Sequence, residues 1–133
     1  NLALPECLEI KIFVGPYEDI SSEGQLVNSN HPFGFIVLLD EDFYGDLNPE
    51  EKTAIISHEL GHLTNEQTFT IYNPDIMIRF QIEADTYSTK YAKSEAMMSV
   101  LTKANARHGG YPSRQYRLRM ENLEKIKQSK QGQ

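Results

Sequence analysis

Two histidines four residues apart, with a glutamate directly after the first, are the residues of this chain best suited to chemistry. They lie in the segment His58-Glu59-Leu60-Gly61-His62. In a helix, residues four apart share one face, so both imidazoles can converge on one metal ion while the glutamate projects beside it. A zinc ion held in this way activates a water molecule as a nucleophile, and the glutamate accepts its proton. The segment therefore predicts a site with one zinc ion that hydrolyses peptide bonds.

The motif lies in a stretch with the signals of a well-capped helix. Asn48, Pro49 and Glu51 have the order of an N-cap, a proline at the first helical position and an acidic residue at the third. The pattern predicts a helix over residues 49–63, which is the setting in which the histidine spacing gives convergent ligands. A helix with two ordinary surface histidines is the competing interpretation.

A catalytic zinc site needs three protein ligands and one open position for water. A second predicted helix, over residues 75–92, follows the motif and carries the carboxylates of Glu83 and Asp85. This helix therefore offers candidates for the third ligand. Because acidic side chains are mostly exposed, solvated residues on an ordinary helix are the alternative.

The other predicted elements place these helices in a small α+β fold. Alternating apolar residues predict a strand over residues 8–14, an apolar run predicts another over residues 35–39, and a short one is expected around residues 25–28. Further helices are expected from Ser94 and from Ser113. We predict a small, mostly antiparallel sheet packed on the zinc-binding helix, followed by two or three further helices.

Length and composition limit the number of domains and the classes of partner. The 133 residues suit a single domain, expected over residues 1–126, with residues 127–133 as a polar, disordered tail. The formal net charge of −6 gives no electrostatic basis for binding nucleic acid. No apolar run approaches the roughly 20 residues that span a bilayer, so no membrane segment is expected in this chain.

The cysteine content and the first residue bear on the compartment. Cys7 is the only cysteine, so an intrachain disulfide is impossible. A reducing, cytoplasmic compartment is slightly favoured for a chain that is soluble as given. The chain begins at Asn1 rather than Met, and an excised domain of a longer protein is one interpretation.

The order of these features resembles the gluzincin zinc metallopeptidases, most closely a minimal soluble form of the M48 family of HtpX-like and Ste24-like proteases. The resemblance covers most of the chain. It rests on the two longer strands, the zinc motif and three downstream segments, which are Glu83-Ala84-Asp85, Glu95-Ala-Met-Met-Ser-Val-Leu and Tyr111-Pro112-Ser113 with Arg117. It implies a zinc endopeptidase in which the strand of residues 35–39, from Phe35 to Leu39, is an edge strand that pairs with a peptide or protein substrate.

The chain departs from the family at the third ligand. In the family the metal-binding glutamate lies four residues before the Asp of the Ala-Asp pair, and here that position is Gln81. Glu83 and Asp85 lie roughly 200° apart around a regular helix and cannot both face the zinc. Glu83 is the preferred ligand, with Tyr87 one turn on facing the same site. Alternatively, Gln81 offers its amide oxygen while Asp85 orients a ligand histidine, or Asp85 itself reaches the ion.

Two residues near the end of the chain are candidates for stabilising a transition state. Tyr111 stands where the family has a histidine, and His108 lies three residues earlier. Either could donate a hydrogen bond to an oxyanion, and either could be a surface residue beside Gly109-Gly110. His31, in a predicted loop, belongs to no motif.

The leading hypothesis is a zinc metalloendopeptidase with Glu59 as the general base. One alternative is a catalytically weak or inactive pseudopeptidase that binds peptides or regulates a partner. In this case Gln81, in place of a carboxylate ligand, would weaken metal binding. Another is a compact metallopeptidase of the repressor-cleaving type, which would use the same chemistry on a different substrate.

Overall fold

Three strands form one small mixed sheet. The computed structural model describes residues 9–16, 24–28, 34–64 and 73–131, so Cys7 and His31 lie outside the described residues. The strands are β1 (Glu9–Gly15), β2 (Gly24–Asn28) and β3 (Gly34–Asp40), in the spatial order β1-β3-β2. The expected strands are therefore present, including the short one around residues 25–28.

The strand directions differ from the prediction of a mostly antiparallel sheet. β1 runs parallel to β3 over seven residue pairs, from Glu9 opposite Gly34 to Gly15 opposite Asp40, and only β2 is antiparallel to β3. Alternation of apolar and polar residues fixes which face of a strand is buried, not the direction of its neighbour. The α+β class is confirmed and the antiparallel sheet is not.

The central position of β3 corrects a second expectation. Residues 35–39 are paired on both sides, with β1 and with β2, and alternate side chains Val37 and Leu39 are fully buried. A strand with two paired edges has no free main-chain groups to offer an added peptide. Substrate pairing along the strand from Phe35 to Leu39 is therefore wrong.

The strand β1 is more exposed than its alternating pattern indicates. Ile12, Phe13 and Val14 are 44–46% exposed, while Ile10 packs against the core. Among the described strands, β1 pairs with β3 alone and forms an edge of the sheet, so the described residues cover it incompletely.

The described part of the chain contains five helices, which follow the expected order with one addition. They are α1 (Glu41–Gly45), α2 (Pro49–Thr64), α3 (Pro74–Ser88), α4 (Ser94–Arg107) and α5 (Arg114–Gln131). The addition is the short α1, for which the sequence analysis predicts no element. It forms because the Asp40 carboxylate accepts a hydrogen bond from the Phe43 N–H at 3.0 Å and so caps its first turn.

The helix that carries the histidine motif begins as predicted, with a reciprocal cap. The Asn48 side chain accepts from the Glu51 N–H, and the Glu51 carboxylate accepts from the Asn48 N–H, both at 2.8 Å. At the other end of the chain, α5 remains helical to Gln131, and the Lys130 ammonium donates to the Thr89 carbonyl at 3.0 Å. The tail predicted to be disordered from residue 127 is thus helical through residue 131.

The apolar core joins the sheet to four of the described helices, α1, α2, α4 and α5. Its buried residues are Val37, Leu39, Phe43, Leu47, Ala54, Ile55, Ala92, Ala96, Met97, Val100, Leu101 and Leu123. The helix α2 packs on α3, α4 and β2, and it has more buried residues than any other described helix. No helix in the described ranges is long and apolar enough to cross a bilayer.

The crossing of α2 and α3 is closest at Gly61. A Cβ atom at this position would lie 3.0 Å from Ala84 Cα and from Tyr87 Cβ, and 3.1 Å from the Ala84 carbonyl oxygen. These separations are tighter than almost all real Cβ contacts, so any larger residue would push the two helices apart by at least a few tenths of an ångström. The residue between the two motif histidines therefore sets the distance to the helix that must complete the site.

Replacing Gly61 with valine is expected to lower the free energy of unfolding by about 1–3 kcal/mol, because the added methyl groups force α2 and α3 apart. The better helix propensity of valine offsets a small part of this loss. Urea unfolding followed by circular dichroism measures it. Gly45→Val is the matched control, since a Cβ at Gly45 meets no atom within 4 Å; an equal loss in both variants would contradict the close crossing.

Candidate metal centre

The helix α2 presents both motif histidines on one face. The imidazole rings of His58 and His62 have centroids 4.8 Å apart and planes at 85°, as the four-residue spacing requires. Both rings and the Glu59 carboxylate are buried. Two close, buried imidazoles with an adjacent carboxylate are the arrangement from which a zinc site with a general base is built.

A buried carboxylate from α3 contacts the first of these histidines on its Nδ1 side. The Nδ1 atom of His58 lies 2.8 Å from the Asp85 Oδ1 atom, and Asp85 is fully buried. At this distance the Nδ1–H group can donate to the carboxylate, although the contact is not well aligned for a hydrogen bond. Occupation of the Nδ1 side leaves the Nε2 atom of His58 as the one that can coordinate a metal.

The carboxylate of Asp85 is itself held by an arginine from the last helix. Arg119 donates from Nε to Asp85 Oδ2 and from a terminal nitrogen to Oδ1, both at 2.8 Å, and its side chain is 12% exposed. This is the bidentate geometry in which arginine binds a carboxylate most strongly. The contacts link α5, α3 and α2 in the order Arg119, Asp85, His58.

The charges in this chain of contacts keep Asp85 ionised. Burial raises the pKa of Asp85, but the Arg119 guanidinium and then the His58 imidazole outweigh that effect and lower the pKa to about 2. Asp85 therefore carries its negative charge at all pH values at which the protein would work. A permanent charge at Nδ1 fixes the orientation of the imidazole and would make His58 a stronger ligand if a metal binds.

The three acidic or amide candidates for the third ligand occupy different surroundings on α3. Asp85 faces His58, as described. Glu83 is 43% exposed at its side chain, and its Oε1 atom lies 4.0 Å from Arg79 Nε. Gln81 is half-buried. The structure thus brings Asp85 to the motif helix, while the role of Glu83 as a ligand stays a prediction.

The two candidates for transition-state stabilisation lie after α4. His108 is the exposed C-cap of that helix, and Tyr111 is 78% exposed. Their part in catalysis stays a prediction, and their exposure fits the simpler interpretation that both are surface residues.

The donor atoms at this site meet the needs of a zinc ion only in part. Within the described ranges, no three His, Cys, Asp or Glu side chains form a group that could hold a metal ion. Two imidazoles, one with an orienting carboxylate, fit zinc by their chemistry. Any further protein ligand among these residues has to be of another type or has to move.

Arg119 is the one residue of this centre that the sequence analysis missed. It belongs to a basic stretch whose alternating charges are typical of a solvated helix face. The sequence signal that could have identified Arg119 is its spacing of four residues from Leu123, which is fully buried. Residues four apart share a helix face, so an arginine one turn before an apolar core residue is expected to point inward and to need a partner.

Comparison with known proteins gives no family for this chain. No protein-family model, no curated protein and no solved structure matches it. The likeness to M48 metallopeptidases therefore stays a prediction from the motifs.

Proposed function

We propose that this protein is a zinc-dependent metallopeptidase in which His58 and His62 bind one zinc ion and Glu59 is the general base. The observation that carries the proposal is the contact between His58 Nδ1 and Asp85 Oδ1 at 2.8 Å. Histidines that bind metals almost always direct their second ring nitrogen to such a partner. A histidine on the surface is hydrogen-bonded by water and does not need a fully buried, ionised carboxylate as a partner.

The cost of burying these groups also supports a binding function. Asp85 is fully buried and its partner Arg119 is only 12% exposed, although replacing a buried ion pair with apolar residues is often neutral or stabilising. A chain that needed only stability could fill this space with apolar side chains. The retained charges act on His58, and orientation of a metal ligand is the role that explains them.

The chemistry follows from the residues around the ion. When bound, zinc lowers the pKa of its water ligand toward about 7 and polarises a substrate carbonyl. The Glu59 carboxylate takes the proton from the water and returns it to the amine of the leaving group. Asp85 keeps the His58 Nδ1 side occupied, so the imidazole presents Nε2 throughout the reaction.

One observation favours the alternative of a pseudopeptidase that binds peptides without hydrolysing them. The described residues hold no group of three His, Cys, Asp or Glu suited to a metal, and a catalytic zinc site usually has three protein ligands. The metallopeptidase requires bound zinc and the pseudopeptidase does not, so zinc binding is the first property that separates them.

Metal content tests the proposal. The purified chain, loaded with zinc and desalted, is expected to hold one zinc ion per molecule by atomic absorption, and His58→Ala or His62→Ala is expected to lose it. His108→Ala is the control, because His108 is an exposed helix cap. A wild-type chain that retains no zinc after loading would exclude the metallopeptidase and leave the pseudopeptidase.

A further inference from the structure

The last helix contacts the metal centre through the carboxylate of Asp85. Both α2 and α5 pack on α3, so α3 has the motif helix and the last helix as neighbours. Arg119 of α5 donates to both oxygens of Asp85, and Asp85 Oδ1 lies 2.8 Å from His58 Nδ1. Asp85 therefore has one partner in each of these two helices.

The two contacts share one oxygen of this carboxylate. Oδ1 accepts from a terminal nitrogen of Arg119 at 2.8 Å and also faces His58 Nδ1, while Oδ2 accepts from Arg119 Nε at 2.8 Å. The torsion that turns an aspartate carboxylate is soft, with a broad distribution. A guanidinium that holds both oxygens removes this freedom, whereas the point charge of a lysine does not. Arg119 thus fixes the oxygen that faces the imidazole.

Arg119 also allows the charge of Asp85 to stay buried. The side chain of Asp85 is 0% exposed and that of Arg119 is 12% exposed. A buried carboxylate without its cation moves toward water or loses its charge, and either change removes the acceptor from His58 Nδ1. A zinc ion at His58 Nε2 would also repel the guanidinium. The imidazole ring and the carboxylate separate these two cations, however, so the repulsion is the smaller effect.

We infer that Arg119 is a positioning residue of the metal centre and that docking of α5 and zinc binding are coupled through Asp85. The inference rests on the proposed zinc site. A docked Arg119 holds Asp85 against His58 and so favours zinc, and by linkage bound zinc favours docking of Arg119 by the same factor. The last helix is therefore part of the metal centre, and it should leave the domain more readily in the metal-free chain.

Zinc titration of the full metal-free chain against a chromophoric chelator tests the effect of Arg119 on the metal. Arg119→Lys keeps the charge and loses the fork. It is expected to lower zinc affinity by about tenfold, the low end of the roughly 10–100-fold losses that follow removal of an orienting partner. Arg114→Lys is the matched control, because Arg114 pairs with Asp75 between the same two helices but the two side chains are 59% and 77% exposed. It is expected to leave the affinity unchanged.

A double-mutant cycle tests whether Arg119 acts through the carboxylate. Asp85→Asn keeps the shape of the side chain and removes its charge. In that background Arg119→Lys is expected to cause no further loss of zinc affinity, because the acceptor through which Arg119 acts is already absent. Zinc affinity is measured on the fraction of each variant that circular dichroism shows to be folded.

Amide hydrogen exchange followed by mass spectrometry tests the effect of the metal on α5 in the wild-type chain. Zinc is expected to slow exchange in peptides of α5 by more than in peptides of α4. Both helices contribute to the same core, so α4 reports the general stabilisation that any bound ligand gives. In Arg119→Lys the additional slowing in α5 is expected to disappear, while the slowing in α2, which carries the histidines, remains.

The outcomes decide this inference separately from the proposed function. Suppose that the wild-type chain binds one zinc ion through His58 and His62, but Arg119→Lys binds it as tightly or more tightly, or zinc slows α4 and α5 equally. Arg119 then has only a structural role, and the inference is lost while the metallopeptidase stands. An equal loss in the Asp85→Asn background would also overturn it, because Arg119 would not act through Asp85. A wild-type chain that holds no zinc removes both.

Discussion

Replacing Glu59 with glutamine is expected to abolish peptide hydrolysis while zinc remains bound. The change removes the group that takes the proton from the zinc-bound water and leaves both histidine ligands in place. General-base catalysis is worth roughly 10²–10⁴-fold in rate, so turnover of an unstructured protein substrate should fall below detection in a routine assay. Zinc stoichiometry and the melting temperature are measured on the same sample.

The control for this variant is Glu121→Gln, which makes the same chemical change at an exposed position of α5. It is expected to keep wild-type activity. If Glu59→Gln retained hydrolysis, the proposed mechanism would be wrong even if zinc were bound.

Replacing Asp85 with alanine is expected to have the largest effect on stability. The substitution leaves the Arg119 guanidinium, 12% exposed, without its carboxylate. Breaking a buried pair by removing one partner costs about 3–5 kcal/mol. It also removes the charge beside His58 Nδ1, and loss of such an orienting partner typically weakens metal binding by about 10–100-fold. Urea unfolding without metal and zinc titration of the folded fraction measure the two effects separately.

The fold supplies a matched control for this change. Asp75 and Arg114 form a second pair between α3 and α5 at 2.7 Å, but their side chains are 77% and 59% exposed. Exposed pairs contribute at most about 1 kcal/mol, so Asp75→Ala should be nearly neutral for stability and for zinc affinity. If Asp85→Ala and Asp75→Ala lost the same stability and zinc affinity, burial of Asp85 would contribute to neither.

Local signals in the sequence predicted the helix that carries the metal motif. Asn48 and Glu51 form the reciprocal cap that their spacing predicts, and the helix ends at Thr64, one residue beyond the predicted end. Capping depends on side chains within three or four residues of each other, so a single sequence contains the whole interaction. The same reasoning predicted the starts of α4 and α5 to within a residue.

Contacts between distant segments could not be predicted in this way. The pairing of β3 on both sides depends on how three strands assemble, and the periodicity of any one strand is compatible with an edge or a centre. The sequence left the role of Asp85 open between orienting a histidine and binding the ion itself, with Glu83 preferred as ligand. The contact of Asp85 with Arg119 joins residues 34 positions apart. The helix crossing at Gly61 decides which face of α3 meets α2, and no spacing within α3 contains that information.

The position of Arg119 in the chain has a consequence for biosynthesis. A ribosome produces the residues of α2 and α3 well before the last helix, so the newly made segment carries Asp85 without the cation that later neutralises it. We expect this segment to stay loosely folded, since an uncompensated carboxylate resists burial. Metal capture should then follow the emergence of α5 from the ribosome, which would keep the hydrolytic centre unassembled while α2 and α3 are being made.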